Sequence, residues 1–230
     1  MSLAAAYYVF LIGVFLPVLC VRSYLKLKSG ARFPPKPAHF KTTLVTLAVV
    51  FAIALLVWRS FGLTIFPAYE IRLKDIAIGF ATVIVFVCAM YPRWKYKATH
   101  SREELFRRVP QAANEMGWWI AVSIAAGFAE EFAYRGVLFG ILIYWIPNWW
   151  AAALLCALAF ALGHSIQGWK NVLIIFTMSV IVQGLVWFTG TLYVAMAAHA
   201  LYDIIAGFAY LRLYKQTAPQ VSAAAPTSVV

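Results

Sequence analysis

The segment Gly127 to Gly136, Gly-Phe-Ala-Glu-Glu-Phe-Ala-Tyr-Arg-Gly, sets Glu130, Glu131 and Arg135 inside a run from Trp118 to Ile143 that is otherwise apolar but for Ser123. One charge at the centre of a bilayer costs roughly 2.5–3.5 kcal/mol on the gentlest scale. Three on one helix need partners on other helices, and ionisable residues at such depth are by default candidates for function. The later apolar runs hold only three more, His164 and then His199 and Asp203. Helix geometry groups them. Glu131 and Arg135 are four apart, a spacing at which carboxylate and guanidinium can pair. Phe160 and His164 share a face in the same way, as do His199 and Asp203. Glu130 stands about 100° round its helix from Glu131, so the two need not point at one partner.

A carboxylate in a poorly solvated site can serve as a general base near neutral pH. A neighbouring imidazole can share the activation of a water. A second imidazole with a polar neighbour can donate hydrogen bonds to a developing oxyanion. This is equipment for water attack on an amide. A G-x-S-x-G nucleophile elbow and an H-E-x-x-H zinc motif are both absent, which argues against serine hydrolysis by that route and against an ordinary zincin. Glu130, His164 and His199 still have the donor chemistry for one Zn²⁺. Cys20, Cys88 and Cys156 each lie in an apolar run with no C-x-x-C spacing, and read as small buried hydrophobes.

The elements that must position these residues follow from composition. Of 230 residues, 64% are hydrophobic and 12% charged, against about 45–50% and about 25% in soluble domains. The fold class is all-α: a polytopic bundle of transmembrane helices. About seven spans are expected, near 3–21, 42–58, 76–91, 117–144, 151–164, 172–188 and 192–211. The net charge of +11 sits in short loops, so the positive-inside rule accounts for it better than nucleic acid does. With the N-terminus outside and the C-terminus cytoplasmic, the cytoplasmic segments hold fifteen Lys or Arg and the outer segments three (Arg59, Arg72, Lys74). Basic residues follow the first run and none precedes it, the reverse of a signal peptide.

Residues 1–116 are expected to form three helices with basic loops, 117–214 the core that carries the polar cluster, and 215–230 a disordered tail rich in Ala, Pro, Ser and Thr. Pro34-Pro35-Lys36-Pro37 reads as non-helical. Between Pro92 and Glu115, Ser101-Arg-Glu-Glu104 is a possible capping box. It would start a short surface helix with Leu105, Phe106 and Val109 toward lipid, or the segment is a solvated linker. Gly127, Ala126 and Ala133 are small enough for neighbouring helices to approach closely. Gln183 reads as a polar tie between helices. The turns are expected at Ser165–Asn171 and Thr189–Thr191.

Glu130-Glu131-Phe-Ala-Tyr-Arg135 fits E-E-x-x-x-R, Phe160-Ala-Leu-Gly-His164 fits F-x-x-x-H, and His199-Ala-Leu-Tyr-Asp203 fits H-x-x-x-(N/D). In that order, from about Gly117 to Leu211, the chain resembles the CPBP (Abi) family of intramembrane endopeptidases, which includes the CAAX prenyl proteases of Rce type. The resemblance implies Glu130 as general base, with His164 assisting. His199 and Asp203 would stand where the family places its oxyanion-stabilising pair, with Glu131, Arg135 and Phe160 in support. Many members have Asn where this chain has Asp203. An ionised Asp donates no hydrogen bond, so Asp203 is either protonated or orients His199.

The expected function is hydrolysis of a peptide bond near the C-terminus or membrane segment of a protein or peptide. The expectation is no cofactor, with a zinc-dependent version as the alternative. The contrasting class is a non-proteolytic membrane protein: a transporter, or a bacteriocin-immunity or scaffolding factor. Spans 4 to 7 lack the paired broken helices that would favour a transporter. Expected partners are membrane lipids and a membrane-associated or lipid-modified substrate, with no nucleic acid. The expected location is a bacterial inner or plasma membrane, with multiple passes.

Overall fold

The computed structural model describes residues 3–63 and 70–217, and every regular element among them is helical. Helix α1 (Leu3–Lys28) is continuous, with a π-helical middle at Leu11–Phe15. Next come α2 (Lys36–Phe61), α3 (Leu73–His100) and the short α4 (Arg102–Phe106). Helix α5 covers 116–145 in three consecutive stretches: α-helix Met116–Glu131, π-helix Phe132–Leu138 and α-helix Phe139–Trp145. The bundle closes with α6 (Trp149–Gly163), α7 (Trp169–Thr189) and α8 (Leu192–Gln216). By length and composition α1, α2, α3, α7 and α8 can each cross a membrane, while α6 is a shorter apolar helix. Exposed Val45, Leu56, Ile84, Leu173 and Trp187 on these helices give the outside of the bundle the apolar surface that lipid requires.

Several expectations are corrected. The helices outrun the hydropathic segments because polar residues at a membrane interface solvate themselves without breaking helical hydrogen bonds. Lys36 and Pro37 open α2, where a missing N–H costs nothing. Pro92 lies inside α3, and Lys215 and Gln216 end α8 instead of starting the tail. Ser101 makes no side-chain cap on α4. Phe106 and Val109 do not face lipid: both are buried, packed with Trp94 and Ala98 of α3 and Leu213 of α8. Arg102 fastens that corner, donating to the carbonyls of Tyr214 and Thr217 at the end of α8. Of the three cysteines only Cys156 is buried; Cys20 is half-buried and Cys88 is exposed. Pro67 and the tail from residue 218 lie outside the described residues.

Helix α8 runs against both α5 and α3, α7 against α6, α2 against α5, and α1 against α6. One apolar core joins Tyr8 and Ile12 of α1, Ala54 of α2, Phe132 and Val137 of α5, Cys156 and Phe160 of α6, and Met196 of α8. Among lipid, tight backbone approach drives helix association better than apolar bulk does. Gly127 supplies that approach. A Cβ there would lie 2.8 Å from both the carbonyl oxygen of Met196 and the backbone nitrogen of Ala200. Helices α5 and α8 therefore touch backbone to backbone, one turn from Glu131 and one residue from His199. Thr189-Gly190-Thr191 makes the expected turn, with Gly190 at φ 68° closing α7.

Candidate active site

The contact at Gly127 sets the distance between Glu131 and His199. His199 Nδ1 lies 2.8 Å from Glu131 Oε1. A carboxylate accepts, so Nδ1 carries the proton and donates. The same Oε1 is 3.2 Å from Arg135 Nη1, the pair that the i, i+4 spacing allows. Arg135 Nη2 donates to Ser179 Oγ of α7 at 2.6 Å, and its guanidinium carbon lies 4.1 Å from the centroid of the Phe160 ring. Both partners of this ion pair are buried, so each needs the other: breaking a buried pair leaves a charge with no compensation.

Glu130 faces elsewhere. Its Oε2 lies 3.8 Å from His164 Nε2 and 3.9 Å from His199 Nε2, beyond hydrogen-bond range, and has no hydrogen-bond partner among the described residues. His164 is not helical; it caps α6, ahead of a 3-10 turn at Ser165–Gln167. Its Nδ1 is 2.8 Å from the carbonyl of Phe160. A carbonyl can only accept, so Nδ1 holds the proton and, in the neutral ring, Nε2 presents a lone pair to Glu130. Asp203 Oδ2 is 3.6 Å from His199 Nε2, and Trp119 donates to the Asp203 carbonyl at 2.7 Å. Phe160 is the hub. Its ring centroid lies 4.5 Å from that of His164, 6.2 Å from His199 and 5.1 Å from Tyr134.

Thus α5, α6 and α8 bring Glu130, Glu131, Arg135, Phe160, His164, His199 and Asp203 into one cluster. The zinc alternative needs Glu130, His164 and His199 to converge on one point. Among the described residues no three His, Cys, Asp or Glu side chains form a group that fits a metal ion. Gln183 is buried with no partner for Oε1, which leaves its reading as a tie between helices unsupported.

The sequence gives no sign of the π-helix that begins one residue after Glu131. A π turn releases carbonyls from the α pattern, and unpaired carbonyls in a bundle core are costly. Two are taken up from other helices. Tyr8 Oη of α1 donates to the carbonyl of Ala133, and Cys156 Sγ of α6 donates to that of Tyr134, each at 2.9 Å. Tyr8, Cys156 and Ser179 therefore support the site without carrying a motif. Ser179 has a weak signal, a hydroxyl in an apolar helix, and Tyr8 has none.

The family described as type II CAAX prenyl endopeptidase Rce1-like matches residues 112–205. No curated protein and no solved structure matches the chain. The matched stretch holds every residue of the cluster, from Glu130 to Asp203, and leaves out α1, which supplies Tyr8. Over residues 112–205, the stretch that carries the cluster, the chain is similar to the Rce1-like type II CAAX prenyl endopeptidases.

Proposed function

We propose that the protein is an intramembrane endopeptidase in which Glu130 activates water to cleave a peptide bond of a membrane-associated or lipid-modified substrate. One observation carries the reading: a carboxylate with a free oxygen opposes the Nε2 of two imidazoles at just under 4 Å. Glu130 and His164 Nε2 are both acceptors. Acceptors at that separation suit a molecule with two O–H donors between or beside them, and water is one. The Glu130 side chain is 18% exposed while Oε2 itself is sealed between the helices, so the reaction needs α5, α6 and α8 to part enough to admit water and substrate. Seven crossings, with the basic loops on the cytoplasmic side, would have the cluster face the cytoplasmic side.

In the reaction Glu130 takes a proton from the water as its oxygen bonds to the carbonyl carbon. The carbonyl electrons move onto oxygen, giving a tetrahedral oxyanion. When the C=O re-forms, the C–N bond breaks and the amine leaves with the proton held by Glu130. His164 orients the water through its second O–H. Glu131, fixed by Arg135, keeps His199 turned so that Nε2 faces the reacting centre. In its imidazolium form Nε2–H donates to the oxyanion, and Asp203 steadies the ring. Positioned general-base catalysis contributes about 10²–10⁴-fold.

The test uses the purified full chain in detergent with a pooled library of lipid-anchored and transmembrane peptides. Cleavage by wild type, lost about 10³-fold or more in Glu130→Gln and surviving a strong chelator, is expected. Cleavage indifferent to Glu130 would remove it from the chemistry. Loss on chelation restored by Zn²⁺ would move Glu130, His164 and His199 to ligand roles.

A further inference from the structure

We propose that Tyr134 is a further catalytic residue, whose hydroxyl donates a hydrogen bond to the oxyanion; the proposal rests on the hydrolytic reading above. Of the two groups that would stabilise that oxyanion, His199 donates only from Nε2, and Asp203 Oδ2 stands 3.6 Å from that same nitrogen, where it orients the ring. The site as read so far is one donor short.

Tyr134 stands where that donor is needed. It follows Glu130 by four residues, within the π stretch of α5. Its ring packs edge-on against Phe160 at 5.1 Å, the ring that also touches His164 and His199. A Cβ on Gly163 would lie 3.4 Å from the Tyr134 hydroxyl oxygen, which brings that oxygen beside the backbone that carries His164. Glu130 and Cys20 are among its titratable neighbours. The residue is only 4% exposed, yet its hydroxyl makes no hydrogen bond among the described residues, whereas the equally buried Tyr8 hydroxyl is spent on Ala133. A buried phenol with no partner loses free energy, and its oxygen is not among the sealed, unpartnered polar atoms. The hydroxyl oxygen therefore keeps some accessible surface and is free to donate.

Pre-organisation favours the role. The ring is clamped by Phe160, and the Tyr134 carbonyl is held by Cys156, so little ordering remains at the moment of reaction. No proton is transferred. The O–H stays on the phenol and its hydrogen bond shortens as negative charge builds on the former carbonyl oxygen. Gly163 is part of the arrangement, since a side chain there would press on the hydroxyl.

The experiment compares wild type, Tyr134→Phe and Glu130→Gln as full chains in detergent, on the best-cleaved peptide of the library. A phosphinate analogue of that peptide mimics the tetrahedral anion, and an uncleavable version mimics the ground state. Tyr134→Phe is expected to lower kcat about 100-fold with KM unchanged. It should weaken phosphinate binding by a similar factor and leave the uncleavable peptide's affinity as in wild type. A kcat equal to wild type overturns the assignment of Tyr134 and leaves the role of Glu130 standing. Equal losses of kcat and of ground-state affinity make Tyr134 a packing residue and also overturn it. If wild type cleaves nothing in a Glu130-dependent way, the hydrolytic reading falls and takes this assignment with it.

Discussion

Glu131 is 1% exposed and shares its Oε1 between Arg135 at 3.2 Å and His199 at 2.8 Å, whereas the adjacent Glu130 is 18% exposed and meets two imidazoles only at 3.8 and 3.9 Å. A rotation of about 100° per residue separates a committed carboxylate from an uncommitted one. The committed one spends its charge on holding a guanidinium and an imidazole in place. The uncommitted one has no hydrogen-bond partner for Oε2 among the described residues. Adjacent residues of one type thus differ in environment because the helix gives them different neighbours.

The sharpest way to break this contrast is to neutralise each glutamate in turn. Glu130→Gln should cost activity about 10³-fold or more, with a melting temperature near that of wild type, because no hydrogen bond of Oε2 is lost. Glu131→Gln should instead leave Arg135 as a buried charge without its counter-ion and destabilise the fold by about 3–5 kcal/mol. Thermal unfolding in detergent, read beside peptide cleavage, checks both. Similar stability losses for the two variants would erase the distinction.

The next effect is smaller and acts on the spacing between the two helices. Gly127→Val would press methyl groups into Met196 and Ala200, and overpacking of this kind costs about 1–3 kcal/mol. It should also lengthen the Glu131–His199 contact, so cleavage should fall by more than the lost stability accounts for. Gly127→Val with full activity would show that His199 does not need that contact. The smallest effect expected is at Tyr8→Phe. Loss of its hydrogen bond to Ala133 should cost about 1 kcal/mol, read as a modest drop in melting temperature, with a several-fold loss of kcat and little change in KM.

The sequence made one side of this contrast legible. Charges in an otherwise apolar run are costly enough to mark themselves, and i, i+4 spacing paired Glu131 with Arg135 and His199 with Asp203. Long apolar stretches marked the helices, although solvated ends such as Lys97 to His100 and Lys215 carry the helix past the point where hydropathy stops. The π turn was not legible. Phe-Ala-Tyr-Arg-Gly-Val-Leu contains no proline and reads as ordinary helix, and what allows the turn is a phenol 125 residues away in sequence. Phe106 and Val109 were misjudged for a related reason. A short amphipathic stretch shows that it has an apolar side, but Trp94 and Leu213 decide what that side meets.

The hydrogen bond from Tyr8 to Ala133 also bears on modularity. The stretch shared with the family ends well short of the first helix, so residues 112–205 expressed alone would be a part with its keystone removed. If α1 were made as a separate polypeptide and inserted alongside the rest of the chain, it should restore what its deletion removes. A version carrying Phe at position 8 should restore less. The first helix would then count as a separable component, defined by the one donor it brings to the Ala133 carbonyl.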